Sequence, residues 1–505
     1  MALTTRQRRS SPMDLHSTSS PSPYSKLDKP ESSSSGDGDR GLGWFLPLVS
    51  LGMLRYMSAS SNIIHDCDEV FNYWEPLHFL LYKSGFQTWE YSSEFALRSY
   101  LYILFHNIVG WPASWWFGEE KVRVFYAVRI FLGVLSVIAD AALVVAISRK
   151  YGKRLASYTL AMLCLASGCF FASTSFLPSS FSMYAMSLSS ALFLFEKPAA
   201  AVGVAATGVI LGWPFSILAF LPVTIFSLVR RFKRAFLSGV VTSVTLVALS
   251  VIVDYFYYGK WTSSVLNLLI YNVLGGGESH LFLYPIYPLI CVAASAVIES
   301  FPDLFRDKYN PNGSSLLVVI AKALRPLVLG IILCASHSRT FSLINGYSAP
   351  LEIYKHLEHH DDAGEGSVLC VGSEWHRYPS SFLVPEFMGE VRWIDDGFQG
   401  LLPFPFNATL GGTSAAPSYF NNKNQASDQQ YFQDLDKCTF LVELQLQRPY
   451  LSRGTDLKTW EVLAALPYLD RELSPPKYRS FFIPYVWQQK NVFGLYKLLR
   501  RIPNS

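Results

Sequence analysis

From residue 43 to residue 78 the sequence reads GWFLPLVSLGMLRYMSASSNIIHDCDEVFNYWEPLH. Residues 43–61 are apolar and long enough to cross a bilayer, since a spanning helix needs about 20 such residues. Residues 65–78 then gather four carboxylates and two histidines among aromatic side chains. Acidic groups beside a membrane span are costly to desolvate, so they usually carry chemistry or transport. This stretch predicts a membrane protein with a functional site in the loop after its first span.

The composition extends this prediction to the whole chain. Its 505 residues are 50% hydrophobic and 16% charged, whereas a soluble domain has about 25% charged residues. Apolar runs predict nine spans, at 43–61, 124–148, 155–176, 180–195, 199–211, 215–229, 236–256, 282–300 and 318–337. The motif at 212–214 is expected to break the fifth and sixth into a hairpin or a kinked helix. The net charge of +4 is too small to indicate a nucleic-acid partner.

Basic residues in two loops set the predicted orientation. These residues are Arg149, Lys150, Lys153, Arg154, Arg230, Arg231, Lys233 and Arg234. Both loops are cytosolic under the positive-inside rule. Carried through nine spans, this rule puts the N-terminus in the cytosol. It puts loop 62–123 and everything after residue 338 on the opposite side.

The chain divides into three regions by composition. Residues 1–42 are rich in Ser, Pro, Asp and Gly and predict a disordered cytosolic tail. Residues 43–337 form the membrane region, and residues 338–505 are mixed polar and apolar. This last region predicts a small α/β domain on the non-cytosolic side, where Cys370 and Cys438 could pair if that side is oxidising.

Short sequence patterns predict the secondary structure of residues 338–505. Strand-like apolar runs lie at 368–371, 391–394 and 438–442. Helical patterns fit near 350–358 and 458–470.

Asp68 and Glu69 are the leading candidates for chemistry. Adjacent residues point in different directions on a helix or a strand, so one could face a site while its neighbour orients a partner. A carboxylate at a membrane rim can act as a general base toward a sugar hydroxyl, or hold a cation. The alternative is a solvated acidic loop beside a span.

The same segment could also be an amphipathic helix lying on the membrane. Its apolar positions at helical spacing are Val70, Tyr73, Trp74 and Leu77. Such a helix would hold Asp68 near the plane of the lipid headgroups.

Three further groups are weaker candidates. Arg98 could pair with a lipid phosphate, or be an ordinary arginine that extends to the membrane surface. The glycines at 275–277 could let backbone amides approach an anion, with Ser279 and His280 as further donors beside Glu278, or they could form a flexible turn. His376 and Arg377 stand beside a tryptophan, as in sugar sites, although a tryptophan is more often a core residue.

Several of these motifs resemble one enzyme family. The run 67–78, continued at 85–91, resembles the first luminal loop of the dolichyl-phosphate-mannose-dependent α-1,2-mannosyltransferases of glycosyltransferase family 22 type. Further matches lie at 212–215, 271–280, 283–288, 377–382 and 405–409. The resemblance covers almost everything after residue 43.

The resemblance implies a polytopic α-helical membrane protein of the lipid-sugar glycosyltransferase (GT-C) type, with a small luminal α/β C-terminal domain. It implies a multi-pass enzyme of the endoplasmic-reticulum membrane that takes part in N-glycan precursor assembly. The donor would be dolichyl-phosphate mannose and the acceptor a dolichyl-diphosphate-linked oligosaccharide. The new linkage would be α-1,2, formed with inversion at the anomeric carbon.

The resemblance also implies residue roles in loop 62–123 and beyond. Asp68 is the predicted base, and Glu69 is the second carboxylate, orienting the acceptor or sharing that role. Donor or acceptor binding is predicted for Trp74, Glu75, His78, Arg98, Glu278, His280, His376 and Arg377. No cofactor is expected, and no metal site is required, because a lipid monophosphate donor carries no diphosphate to chelate.

One departure from the family pattern follows His280. Family members carry a block here that holds extra membrane helices and ends in a His-Lys-Glu-Glu-Arg motif, whereas Leu281 here joins straight onto Phe282. The missing basic residues would be natural partners of the donor phosphate. Two alternatives therefore stay open: a catalytically impaired splice form, and a non-catalytic membrane subunit of the same pathway.

A membrane transporter with an acidic luminal vestibule is the remaining alternative. A transporter is expected to place acids inside its spans and to have halves related by a repeat. In this chain the acids lie mainly in a loop, and the sequence has no evident repeat.

Overall fold

The computed structural model describes residues 41–274, 283–305, 316–357, 366–408, 412–447 and 452–502. The helices up to residue 347 are α1 (Phe45–Ser61), α2 (Cys67–Glu69), α3 (Glu75–Tyr82), α4 (Tyr100–Phe117), α5 (Lys121–Tyr151), α6 (Lys153–Leu165), α7 (Ser167–Ala172), α8 (Pro178–Leu194), α9 (Pro198–Thr207), α10 (Ile217–Tyr258), α11 (Ser264–Leu274), α12 (Tyr287–Ser300) and α13 (Leu316–Tyr347). Short helices α14 (Ala349–Glu352), α15 (Pro476–Ser480) and α16 (Val486–Lys490) follow.

Four helical segments of the described chain are long and apolar enough to cross a membrane. They are Lys121–Tyr151, Pro214–Tyr258, Tyr284–Phe305 and Leu316–Tyr347. Helices α1 and α8 have 17 residues each, which is the lower end of the spanning range. The structure therefore supports a helical membrane region, while the full count of nine spans stays a prediction.

The expected breaks near residues 213 and 231 are confirmed. Trp213 is extended, so it separates the π-helical turn Gly208–Gly212 from α10. Arg231 has non-helical backbone angles inside α10. This kink lies in the basic loop that the sequence predicts between two spans.

The two basic loops lie at the same end of the helical region. Lys150 lies 3.8 Å from Glu196, and the Arg230 guanidinium lies 4.6 Å from the ring centroid of Phe193. Residues 193–196, at the end of α8, thus contact both loops. This grouping is what the charge-based orientation requires.

Helix α4 was not predicted, because the sequence assigns residues 62–123 to a single loop. Ser99 Oγ and the Tyr100 N–H both donate to Asp254 Oδ1, at 2.9 and 3.0 Å. At the other end of α4, Tyr82 donates to the Gly118 carbonyl at 3.3 Å. Both ends of α4 are therefore held by hydrogen bonds near the acidic loop. Its aromatic composition, with polar residues at 106 and 107, hides it from a hydropathy search.

The acidic stretch itself is a helix, as its apolar spacing indicates. Helix α2, a π-helical segment at Val70–Trp74 and α3 follow without a break. Tyr73 and Trp74 are 4% and 0% exposed. The helix is therefore buried in protein, and the hypothesis that its apolar face lies on the membrane is wrong.

The C-terminal region contains a five-stranded mixed sheet. Its strands are β2 (Val368–Val371), β3 (Glu390–Trp393), β5 (Phe440–Gln445), β6 (Trp460–Leu469) and β7 (Phe493–Arg501), in the order β3-β2-β5-β7-β6. Strand β2 is parallel to β3 and β5, and the other two pairings are antiparallel. Cys370 and Cys438 form a disulfide, so the pairing that the sequence allowed is present.

One element of this region differs in type from its prediction. Residues 458–470 were predicted to be helical, but β6 pairs with β7 along its whole length. A register shift lies between Val462 and Ala464. Such a bulge interrupts the two-residue alternation of a strand, and the sequence then imitates a helical period.

The C-terminal region and the acidic helix share one hydrophobic core. Strand β1 (Phe86–Gln87) pairs with β4 (Phe404–Pro405). The Phe71 ring stacks on Tyr378 at 6.1 Å between centroids, and Phe86 lies 4.6 Å from Trp393. The sheet is thereby held against the segment that carries Asp68.

Candidate active site

Asp66 begins the acidic helix as its N-cap. Its Oδ1 accepts the backbone N–H of Asp68 at 2.9 Å, and a short acidic side chain commonly fills this position. The ligand atoms of Asp66, Cys67 and Asp68 lie within 4.8 Å of one another. These three residues are the group in the described chain that could hold a metal ion.

Glu69 is buried and hydrogen-bonded within the protein. It accepts Trp74 Nε1–H at 3.1 Å, the Phe176 N–H at 2.9 Å and the Ser175 hydroxyl at 2.5 Å. Burial raises the pKa of Glu69, while the charge of Arg129 and these hydrogen bonds oppose the rise. Glu69 thus ties the acidic helix to the turn that precedes α8, which favours a positioning role.

Asp68 is half-buried and lines a small cavity of about 10 Å³. The other lining residues are Tyr73, Arg98, Leu177, Pro178, Ser179 and Trp213. A neighbouring cavity of about 50 Å³ shares Tyr73, Arg98, Pro178 and Trp213 with it. Asp68 is the carboxylate among the described residues of both linings, so it is the group placed to accept a proton there.

Arg98 is the cation that lines both cavities. Its Nε and Nη2 donate to Glu90 at 2.7 and 3.1 Å, and its Nη1 donates to the Tyr73 hydroxyl at 2.9 Å. This bidentate pair fixes the guanidinium plane. Arg98 therefore stands beside Asp68 with much of its charge already balanced by Glu90.

Ser179 is a candidate site residue that sequence reasoning missed. It lies in the first turn of α8, is 2% exposed, and its Oγ has no hydrogen-bond partner among the described residues. The N-terminus of a helix attracts anions through its free N–H groups and the helix dipole. A single serine before an apolar run gives no sequence signal, so only the structure could place it beside Asp68.

The other predicted residues of the acidic helix lie deeper in the core. Trp74, Glu75 and His78 are each 0% exposed. Glu75 accepts the Ser380 hydroxyl, the Ser381 N–H and hydroxyl, and the Phe86 N–H, at 2.7 to 3.0 Å. None of the three lines the cavities at Asp68 within the described chain.

The predicted residues of later segments are not gathered at Asp68 either. Arg377 donates to Glu374 and to the Tyr468 hydroxyl, both at 2.8 Å. His376 bonds the Ser373 carbonyl at 2.8 Å through Nδ1. Glu278 and His280 fall outside the described residues, so their role stays a prediction.

A comparison with known protein families divides the chain near residue 280. The model of the Alg9-like mannosyltransferase family matches residues 46–282 and 280–385. The two matched segments meet at 280–282, which is where the sequence predicts a missing block. No solved structure matches the chain.

Curated relatives cover nearly the whole chain. It is 66% identical over 566 aligned positions to alpha-1,2-mannosyltransferase ALG9 of Arabidopsis thaliana, with 99% of each chain covered. An alignment of 566 positions exceeds the 505 residues present, so part of that relative has no counterpart here. Identity is 30% to the Homo sapiens protein of that name, over 88% of this chain and 87% of the relative. The chain belongs to the Alg9-like mannosyltransferase family.

Proposed function

We propose that this chain transfers mannose from dolichyl-phosphate mannose to a dolichyl-diphosphate-linked oligosaccharide, forming an α-1,2 linkage with inversion. The observation that carries the proposal is the cavity in which Asp68 faces Arg98 and the first turn of α8. When a hydroxyl attacks a sugar phosphate, the reaction requires a base for the proton and positive groups for the leaving phosphate. Asp68, Arg98 and the N-terminus of α8 are groups of these kinds.

In this mechanism the acceptor hydroxyl attacks the anomeric carbon of the donor. Asp68 takes the hydroxyl proton as the new C–O bond forms. The bond from the anomeric carbon to the phosphate oxygen breaks, and dolichyl phosphate leaves with that electron pair. The first turn of α8 and Arg98 receive the negative charge on the phosphate. Glu69 holds the acidic helix in place, and Glu90 holds the guanidinium of Arg98.

We place this chemistry at the luminal face of the endoplasmic-reticulum membrane. Residues 1–42 would be a cytosolic tail, residues 43–337 the membrane region with catalytic loop 62–123, and residues 338–505 a luminal α/β domain. Two features support this arrangement. The basic loops lie together at one end of the helical region, and a disulfide joins Cys370 in β2 to Cys438, two residues before β5. Disulfides persist in oxidising compartments.

The transporter alternative has less support. Asp140, an acid inside a spanning helix, lies 3.2 Å from Arg55 and also accepts the hydroxyls of Ser136 and Ser187. A buried acid that is paired in this way is a structural contact, whereas an ion path needs ligands that exchange partners.

Complementation tests the proposed activity. The chain would be expressed in cells that lack the corresponding transferase, beside a version in which the block of the Arabidopsis relative is inserted after His280. We expect the restored version to extend the lipid-linked intermediate and this chain to extend it more slowly, because the block's cations are absent. Extension by the restored version alone would refute transfer by this chain and identify it as the impaired form. Extension by neither would refute the proposal.

Ser179→Ala is expected to weaken binding of the lipid phosphate. A hydrogen bond to a charged group contributes about 1.5–3 kcal/mol, so we expect at least a tenfold higher Kd for dolichyl phosphate in nanodiscs. Ser180→Ala is the matched control, because Ser180 is also buried without a partner among the described residues but lines neither cavity at Asp68. Equal affinities for the two variants would remove Ser179 from the phosphate site.

A further inference from the structure

A groove runs between the start of α5 and the C-terminal region, apart from the cavity at Asp68. Its outer part, of about 990 Å³, is lined by 119–123, Lys355, Gly366 and 382–389. An inner chamber of about 170 Å³ is lined by residues that include His78, Lys121, Met388 and Arg392. The two parts share Lys121, Val384, Pro385, Met388 and Gly389. They therefore lie side by side along a shared wall, and we call the two parts together the α5 groove.

His78 lines the inner chamber and has one ring nitrogen without a hydrogen-bond partner in the described chain. Its Nδ1 lies 2.7 Å from the Ser84 carbonyl. A carbonyl only accepts, so Nδ1 carries the proton and Nε2 carries the lone pair. That Nε2 has no hydrogen-bond partner in the described chain, although His78 is 0% exposed. Burial, and then the charge of Lys121, lower the pKa of His78 to about 3. The imidazole is thus neutral and able to accept a hydroxyl proton in a hydrogen bond.

Lys121 supplies a donor to both parts of the groove. The residue is 8% exposed, and its Nζ lies 5.9 Å from the centroid of the Tyr82 ring. No ion pair within 4.0 Å holds this ammonium group among residues that the structure describes. A nearly buried lysine without a fixed anion has N–H groups available for a ligand.

The charges around the groove favour a neutral ligand with many hydroxyl groups. Its acids are Glu119, Glu120, Glu386 and Glu390, and its bases are Lys121, Arg123, Lys355 and Arg392. An anion would face four carboxylates and a cation four basic groups. Val384, Pro385, Phe387 and Met388 add apolar surface. Convergent donors and acceptors beside apolar faces are what a sugar ring needs.

The position of the groove indicates how long its ligand must be. His78 follows Asp68 by ten residues on one uninterrupted helical stretch. At 1.5 Å per residue this is about 15 Å. A single sugar cannot reach from the reacting hydroxyl to this chamber, whereas an oligosaccharide can.

We propose that the α5 groove binds the carbohydrate arm of the lipid-linked acceptor, away from the hydroxyl that reacts. The proposal rests on the proposed function and adds a second contact for the same substrate. It gives His78 and Lys121 the role of acceptor-binding residues outside the catalytic cavity.

Filling the inner chamber tests this directly. The chain would be purified in nanodiscs, and binding of a soluble, fluorescently labelled oligomannose glycan would be measured. We expect Met388→Trp to weaken binding at least tenfold and Lys121→Met to weaken it severalfold. Val462→Trp is the control, because Val462 lies on β6 and is 38% exposed outside the groove. It should bind within twofold of the unaltered chain.

The same variants separate this proposal from the proposed activity. With the lipid-linked acceptor, we expect Met388→Trp to raise the acceptor KM about tenfold and to leave kcat and the donor KM unchanged. If both groove variants bind the glycan like the unaltered chain, the groove is not the acceptor site, whatever the activity. The unaltered chain could bind the glycan and transfer no mannose, while Met388→Trp no longer binds the glycan. This result would support the groove as a glycan site and refute the proposed function.

Discussion

Asp68→Asn is expected to abolish mannosyl transfer, with a loss of about 100- to 10,000-fold in rate. Asparagine has nearly the same shape as aspartate but cannot take the proton of the acceptor hydroxyl. Asp68 is also the carboxylate among the described residues that line the cavity beside Arg98 and α8. The measurement is transfer from dolichyl-phosphate mannose in membranes, with and without the block restored after His280.

Two matched variants make the assignment of the base specific. Asp66→Asn keeps a side-chain oxygen for the Asp68 N–H, which Asp66 now accepts at 2.9 Å, so it should retain most of the activity. Glu69→Gln should lower protein yield, because a hydrogen-bonded carboxylate that joins the acidic helix to residues 175 and 176 is replaced. Transfer at an unaltered rate by Asp68→Asn would refute the assignment, and so would an equal loss in Asp66→Asn.

Glu75→Ala is expected to destabilise the protein by several kcal/mol. Removing the carboxylate leaves the four donors that now bond it, from Phe86, Ser380 and Ser381, without an acceptor. Each buried donor left unpaired costs about 1–3 kcal/mol. The melting temperature in detergent, followed by intrinsic fluorescence, should fall by many degrees.

The conservative variant tests whether the hydrogen bonds are the cause. Glu75→Gln keeps one acceptor oxygen and the side-chain volume, so its melting temperature should lie between those of the unaltered chain and Glu75→Ala. A Glu75→Ala protein that melts with the unaltered chain would show that this contact does not hold the C-terminal region in place.

The sequence predicted the elements whose residues carry a local pattern. Apolar spacing identified the helix that carries Asp68, and short apolar runs identified the strands beginning near residues 368, 390 and 440. Buried parallel strands are continuous apolar runs. Strands β2 and β5 could therefore be predicted from their own residues, without knowledge of the strands that they pair with. Strand β6 was mistaken for a helix, because pairing with β7 and a bulge decide its form.

The candidate site was predictable only in part, for a related reason. Asp68 was found because a carboxylate beside a span is unusual. The burial of Glu75 depends on Ser380 and Ser381, which lie three hundred residues away in the chain. The place of Ser179 beside Asp68 likewise results from tertiary packing. No local pattern encodes contacts of this kind.

The disulfide between Cys370 and Cys438 makes a covalent ring with a sequence separation of 68 residues. Within that ring lie both serines that bond Glu75. Residues 381–392, which line the α5 groove, lie within it too. By the chain-entropy account, closing a loop of this length contributes about 4 kcal/mol. Newly synthesised chain in which this disulfide has not yet formed lacks this restraint on the serines that bond Glu75 and on the α5 groove. Maturation of the protein is thus coupled to the redox state of the compartment in which its C-terminal region folds.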